Sequence, residues 1–170
     1  MRGLTALLVL QLGLALPAVA ADTPPVPPAC GDAAHAQFDF WVGTWDVMRP
    51  DGTLAGTNRI EKILDGCVVF ENWKSAISGY EGKSFNTFDP LSGKWNQLWV
   101  DTTGATLHFS GERRGDVMEM EGTQQTAEGP LQHRMSYTVN ADGTIRQLWQ
   151  QSPDGKDWQT LFDGLYRRKE

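Results

Sequence analysis

Three short stretches of this chain set a hydrogen-bonding side chain two residues before a tryptophan: Glu71-Asn72-Trp73, Gln97-Leu98-Trp99 and Gln147-Leu148-Trp149. On an extended strand, residues two apart leave the same face. Each stretch therefore offers a flat aromatic surface beside a carboxylate or carboxamide. Tyr137, on a fourth alternating segment, adds a phenol. Aromatic walls with a few polar groups describe a small-molecule pocket. An unpaired Glu or Gln in a dry core would cost several kcal/mol. Glu71, Gln97 and Gln147 therefore need water, a ligand or one another.

Glu71 is the best single candidate for a tuned acid or base, because Trp73 beside it in a closed interior would desolvate the carboxylate and raise its pKa. No second catalytic group accompanies it, so no residue is assigned as catalytic. Glu119 and Glu121 share a strand face opposite Met118 and Met120, which reads as a solvated face. The chain has no Gly-x-Ser-x-Gly elbow, Walker loop, Gly-x-Gly-x-x-Gly or His-Glu-x-x-His. Three scattered His make no zinc signature, so neither a metal nor a cofactor is expected.

The elements that must position these residues are short. Turn signals such as Pro50-Asp51-Gly52, Asp65-Gly66, Ser78-Gly79, Asp142-Gly143 and Pro153-Asp154-Gly155 recur along the chain. Between them lie ten segments of alternating character: 39–49, 53–63, 67–77, 82–88, 94–101, 105–112, 116–125, 131–140, 143–151 and 157–168. No window has a convincing helix period. Strands joined only by short turns are antiparallel neighbours. Closure into an up-and-down barrel removes both exposed edges. The reading is an all-β, antiparallel barrel of about ten strands over residues 38–170, with a two-sheet sandwich as the competing architecture.

Alternation places Cys67, Val69, Glu71 and Trp73 on one face, the candidate interior. The matching sets are Trp95, Gln97 and Trp99; His133, Met135, Tyr137 and Val139; Ile145, Gln147 and Trp149; and Trp158, Thr160, Phe162, Gly164 and Tyr166. The segment Phe38 to Phe40 and the strand holding Leu107, His108 and Phe109 are ambiguous. A filled interior, in which the polar groups bond to one another, is the alternative to a pocket.

Residues 1–20 read as a secretory signal peptide: Arg2, an apolar run from Leu4 to Leu16, and an Ala-x-Ala site cut after Ala20. The run is short of the roughly 20 residues a spanning helix needs, and no integral membrane span is expected. A periplasmic or secreted destination permits a bridge between Cys30 and Cys67, the only two cysteines. Closing a loop of roughly 38 residues would stabilise by about 4 kcal/mol; two free thiols are the alternative. Residues 21–37 read as a tether with prolines at 24, 25, 27 and 28, followed by a short helical turn over 31–37.

The chain has 170 residues, enough for one domain, and 40% of them are hydrophobic. A formal charge of −6 argues against a nucleic-acid surface, which must neutralise a polyanion.

The stretch Phe38-Asp39-Phe40-Trp41-Val42-Gly43-Thr44-Trp45 carries a Gly-x-Trp element that resembles the start of the calycin barrels, among them lipocalins and fatty-acid-binding proteins. A longer set of motifs resembles DUF1579, a bacterial family of unknown function. The set comprises Gly43-Thr44-Trp45, Ile60-Glu61, Leu64-Asp65-Gly66-Cys67, Glu71-Asn72-Trp73, Gly82-Lys83-Ser84-Phe85-Asn86, Asp89-Pro90, Trp95 and Gln97-Leu98-Trp99-Val100-Asp101. The resemblance covers most of residues 38–168. It implies a calycin-like barrel with Trp45 near its floor and a late basic residue, Arg167 or Arg168, packed on that indole. The haem-binding nitrobindin-like barrels carry an early glycine-rich motif and a late His, which this chain lacks; haem ligation would fall to His108 or His133.

The resulting expectation is an exported, monomeric barrel that binds a small hydrophobic or amphipathic molecule through Glu71, Trp73, Gln97, Trp99, Tyr137, Gln147 and Trp149. The alternatives are an enzyme that uses Glu71 as general acid or base in the same cavity, and an envelope structural or interaction module with a filled barrel.

Overall fold

Ten strands follow one another with no intervening helix: β1 (Gly43–Met48), β2 (Leu54–Ile63), β3 (Val68–Ser75), β4 (Glu81–Asp89), β5 (Lys94–Asp101), β6 (Thr106–Arg114), β7 (Val117–Thr126), β8 (Gly129–Val139), β9 (Ile145–Ser152) and β10 (Gln159–Arg168). They belong to a computed structural model that describes residues 30–169. The segment expected to be a signal peptide (1–20) and most of the expected proline-rich tether lie outside those residues. Each strand pairs antiparallel with its neighbours in sequence, and β10 pairs with β1, so the sheet closes into a barrel. Closure leaves no unpaired edge strand. The expected barrel is thus present and the sandwich is excluded.

Because the strands alternate in direction, β1, β3, β5, β7 and β9 all run from one end of the barrel to the other. The end from which they start is shut by the segment before β1. Phe38, Trp41 and Trp45 are fully buried there. Trp41 stacks on Phe38 with ring centres 5.1 Å apart and meets Tyr137 at 4.8 Å. The Trp45 indole N–H donates to the Trp41 carbonyl at 2.8 Å. Such aromatic pairs add about 0.5–1.5 kcal/mol each beyond their burial.

The helical turn is shorter and later than the sequence suggests. It is a 3-10 turn over Asp39–Trp41, and β1 begins only at Gly43. An extended strand from residue 39 would point Phe38 and Trp41 to opposite faces. The turn lets both pack inward.

Two links hold this plug in place. Cys30 and Cys67 form a disulfide with Cα atoms 4.9 Å apart, which joins the N-terminal segment to the β2–β3 turn. Arg113 of β6 donates to the Gln37 carbonyl at 3.0 Å and lies 4.8 Å from the Phe40 ring centre. Of the two late arginines, Arg168 is the one over Trp45, 4.4 Å from its ring centre. No helix among the described residues is long and apolar enough to cross a membrane.

The strand faces follow the alternation except at the start of β10, where Thr160 of the expected inner set is exposed and accepts from Gln150 on the outer face. Leu107 and Phe109 face inward and His108 outward; Met118 and Met120 are buried while Glu119 and Glu121 are exposed. Trp158 departs from the expected inner set. It precedes β10 and lies outside, with the Arg134 guanidinium 4.1 Å over its ring. A register shift between Thr160 and Phe162 breaks the alternation that would have carried Trp158 inward.

Candidate functional site

Above the aromatic plug lies a cavity of about 560 Å³. Glu71, Trp73, Gln97, Trp99, Tyr137, Gln147 and Trp149 all line it. Residues of the β1–β2 and β3–β4 connections, Arg49, Pro50 and Tyr80, also line it, so the cavity faces the end opposite the plug. The volume is in the range of small-molecule sites.

The repeated Glu/Gln-x-Trp pattern has a geometric meaning. Its three copies sit on β3, β5 and β9, which run in the same direction, away from the plug. In each copy the polar residue is therefore the deeper one, and the indole stands one step nearer the mouth. Two of the indoles lie across glycines of neighbouring strands. A β-carbon on Gly82 of β4 would stand 2.1 Å from the Trp99 ring, and one on Gly56 of β2 would stand 2.7 Å from the Trp73 ring. The missing side chains leave room for the rings against the wall, and the centre stays open. Asp101 fixes Trp99 further: its Oδ2 accepts from the Trp99 indole N–H and from the Tyr80 hydroxyl, both at 3.0 Å.

The deeper polar residues bond to one another in a closed ring. Asn58 Nδ2 donates to Glu71 Oε1 at 2.7 Å, and Ser84 Oγ donates to Glu71 Oε2 at 2.6 Å. Gln97 Nε2 contacts Ser84 Oγ at 3.3 Å and the Tyr137 hydroxyl at 3.4 Å. Gln147 Nε2 donates to the Tyr137 hydroxyl at 3.2 Å, and Tyr166 donates to Gln147 Oε1 at 2.6 Å. Asn58 Nδ2 closes the ring on the Tyr166 hydroxyl at 3.1 Å. Mutual bonding and an open cavity thus coexist, where the sequence presents them as alternatives.

Two acceptors of the ring are left over, and the identity of one follows from the backbone. Asn86 Nδ2 reaches the Val69 carbonyl at 2.8 Å. A carbonyl only accepts, so Asn86 must present its oxygen to Gln97 at 2.9 Å, and Gln97 must present its nitrogen there. Gln97 Oε1 is the remaining atom, buried and without a protein donor among the described residues. Asn58 Oδ1 is in the same state.

Glu71 is 3% exposed, and burial pushes its pKa up to about 7 despite the opposing hydrogen bonds from Ser84 and Asn58. Burial also pushes the Tyr137 and Tyr166 hydroxyls well above the ordinary phenol range. Sequence reasoning left Asn58, Ser84, Asn86 and Tyr166 out of the site. Their common signal is a polar atom on an inward position of a strand, which alternation alone could have flagged for Tyr166.

The two strand histidines stand apart from the cavity. His133 is buried beside Trp149, whose indole N–H donates to its Nδ1 at 3.2 Å, and His108 is exposed on the outer face. No group of three or more His, Cys, Asp or Glu among the described residues is placed to hold a metal ion. No protein-family model matches the chain, and no curated protein matches it in sequence.

Proposed function

We propose that this protein is an exported, monomeric carrier that holds one small hydrophobic or amphipathic molecule inside the barrel. The observation that carries this reading is the convergence of Trp73, Trp99 and Trp149 on one cavity of about 560 Å³ above a hydrogen-bonded polar ring. The indoles supply apolar contact near the mouth. Glu71, Gln97, Tyr137 and Gln147 orient the buried end of the ligand. The Cys30–Cys67 disulfide supports export, since oxidising compartments sustain such bridges. Kinship with calycin-like barrels belongs to the same reading; the closed meander and the Arg168–Trp45 contact support it. A filled structural module does not accommodate a hollow of this size.

Titration with Nile red, a neutral fluorophore, tests the reading. A carrier gives saturable one-to-one binding with quenching of Trp emission. Failure of Nile red and of a panel of smaller aromatic probes to bind would remove it.

The enzyme alternative has one observation in its favour, the Glu71 carboxyl poised near neutral pH. Both its oxygens are already engaged, by the Asn58 amide and the Ser84 hydroxyl, and no basic side chain among the described residues bonds to it. Turnover that disappears in Glu71→Gln while ligand affinity persists would favour that alternative.

A further inference from the structure

We propose that the cavity selects an amphipathic amine, whose ammonium group is held by the Glu71 carboxylate and Gln97 Oε1 while its aromatic or aliphatic body lies among the indoles. This rests on the carrier reading and adds the charge and chemistry of the ligand's buried end.

The first argument is the inventory of charge. Among the described residues, Arg49 is the single basic one lining the cavity, and it sits at the rim, where its guanidinium donates to Thr53 Oγ1 and to the Leu54 carbonyl. Asp163 also lines the rim, but both its oxygens are taken by Arg146, at 2.9 and 2.7 Å. The deep wall therefore offers no cation. A carboxylate or sulfonate head group pushed to the polar ring would meet Glu71 and no counter-charge, in a setting where water screens little.

The second argument is the inventory of hydrogen bonds. The ring spends most of its donors within the protein: both Asn58 Nδ2 hydrogens, the Ser84 hydroxyl, the Tyr166 hydroxyl and the Gln147 amide all point at partners there, while the Tyr137 hydroxyl accepts from Gln97 and Gln147 and keeps its own hydrogen. What remains is mostly acceptor capacity, on Glu71 and on the unpartnered Gln97 Oε1 and Asn58 Oδ1, against the single hydroxyl hydrogen of Tyr137. A ligand end rich in donors complements it, and an ammonium group brings three donors and a positive charge at one atom. Indole faces are in turn the aromatic surfaces most attractive to a cation.

The titration of Glu71 is consistent with this geometry. Its carboxyl faces the uncharged Asn58 of β2 and Ser84 of β4, and its charge helps to push up the phenols of Tyr80, Tyr137 and Tyr166 on neighbouring elements. An ammonium ion binds the ionised form. Affinity for an amine should therefore rise as pH climbs through the neutral range, until the amine itself loses its proton.

Three probes of matched shape decide the matter by titration calorimetry: 2-(1-naphthyl)ethylamine, 2-(1-naphthyl)ethanol and 1-naphthylacetic acid. At pH 8 the amine should bind at least tenfold tighter than the alcohol, and the acid weakest. Between pH 8 and pH 5.5 amine affinity should fall at least fivefold, with the alcohol unchanged. In Glu71→Gln the preference for amine over alcohol should shrink below threefold. The pH series on the unaltered protein serves if that variant does not fold. An acid or alcohol that binds as well as the amine, a flat amine pH profile, or a preference that survives Glu71→Gln overturns the proposal and leaves the carrier reading standing. Failure of all three probes to bind overturns the proposal, and Nile red then reports separately on the carrier.

Discussion

The Trp99 indole lies over the backbone of Gly82 on the adjacent strand, so close that a β-carbon on Gly82 would stand 2.1 Å from its ring. This contact connects a single hydrogen atom in the sequence to the existence of the cavity. The three atoms nearest that hypothetical β-carbon all belong to the Trp99 side chain, which has open space on its other side. Adding the carbon therefore moves the ring inward rather than straining the sheet.

Gly82→Ala should fill the cavity from within. Nile red binding should weaken at least about tenfold, which corresponds to about 1.4 kcal/mol, while far-ultraviolet circular dichroism stays that of the parent. Gly79→Ala is the matched control, since nothing lies within 4 Å of a β-carbon there. Equal binding by the two variants would show that Trp99 is free to move without entering the hollow.

The tryptophans should divide by position. Trp45 is fully buried in the plug, and Trp45→Ala should cost about 3–5 kcal/mol in urea unfolding. Trp99 is only partly buried. Trp99→Ala should cost about 2 kcal/mol or less and act mainly on Nile red affinity. Equal losses of stability and binding at Trp99 would mark it as core packing.

Stability should fall as pH rises across the window set by Glu71. Unfolded, the carboxyl ionises near 4.5; folded, it holds its proton to about 7. Between these values the folded chain retains a proton that the unfolded chain has released. The stabilising contribution is thus complete below the lower value and lost above the higher one, about 3 kcal/mol in all. Glu71→Gln should show a flatter profile over this window. A wild-type profile parallel to that of the variant would mean that the carboxylate is better solvated than its burial implies.

Replacing Cys30 and Cys67 together by serine should destabilise by about 4 kcal/mol on the chain-entropy model. The same pair of changes should speed proteolysis ahead of β1, since the disulfide anchors that segment to the β2–β3 turn. An unchanged unfolding midpoint would show that the aromatic plug holds without it.

The barrel was legible because its determinants are local. Turn residues fix where strands end, and short connections force antiparallel neighbours. The Glu/Gln-x-Trp copies were legible because residues two apart must share a face. The polar ring was not, because it depends on which strands meet: Asn58 and Tyr166 touch across 108 residues of sequence. β4 shows a second obstacle. Its inward residues are Gly82, Ser84 and Asn86, while Phe85 is 42% exposed and rests against Phe70 on the outer face. Small polar residues face in because they seat Trp99 and bind Glu71, against the hydrophobic pattern that strand prediction relies on. Trp158 reads as interior for the converse reason, since the register shift in β10 leaves no mark in the residue pattern.

Native mass spectrometry of the protein purified from its own host tests the carrier most directly. The account predicts a species heavier than the polypeptide by one small molecule, released by organic solvent and missing from Gly82→Ala purified in the same way. A parent protein that carries only its own mass, and takes up neither Nile red nor the naphthyl probes when they are added, would contradict it.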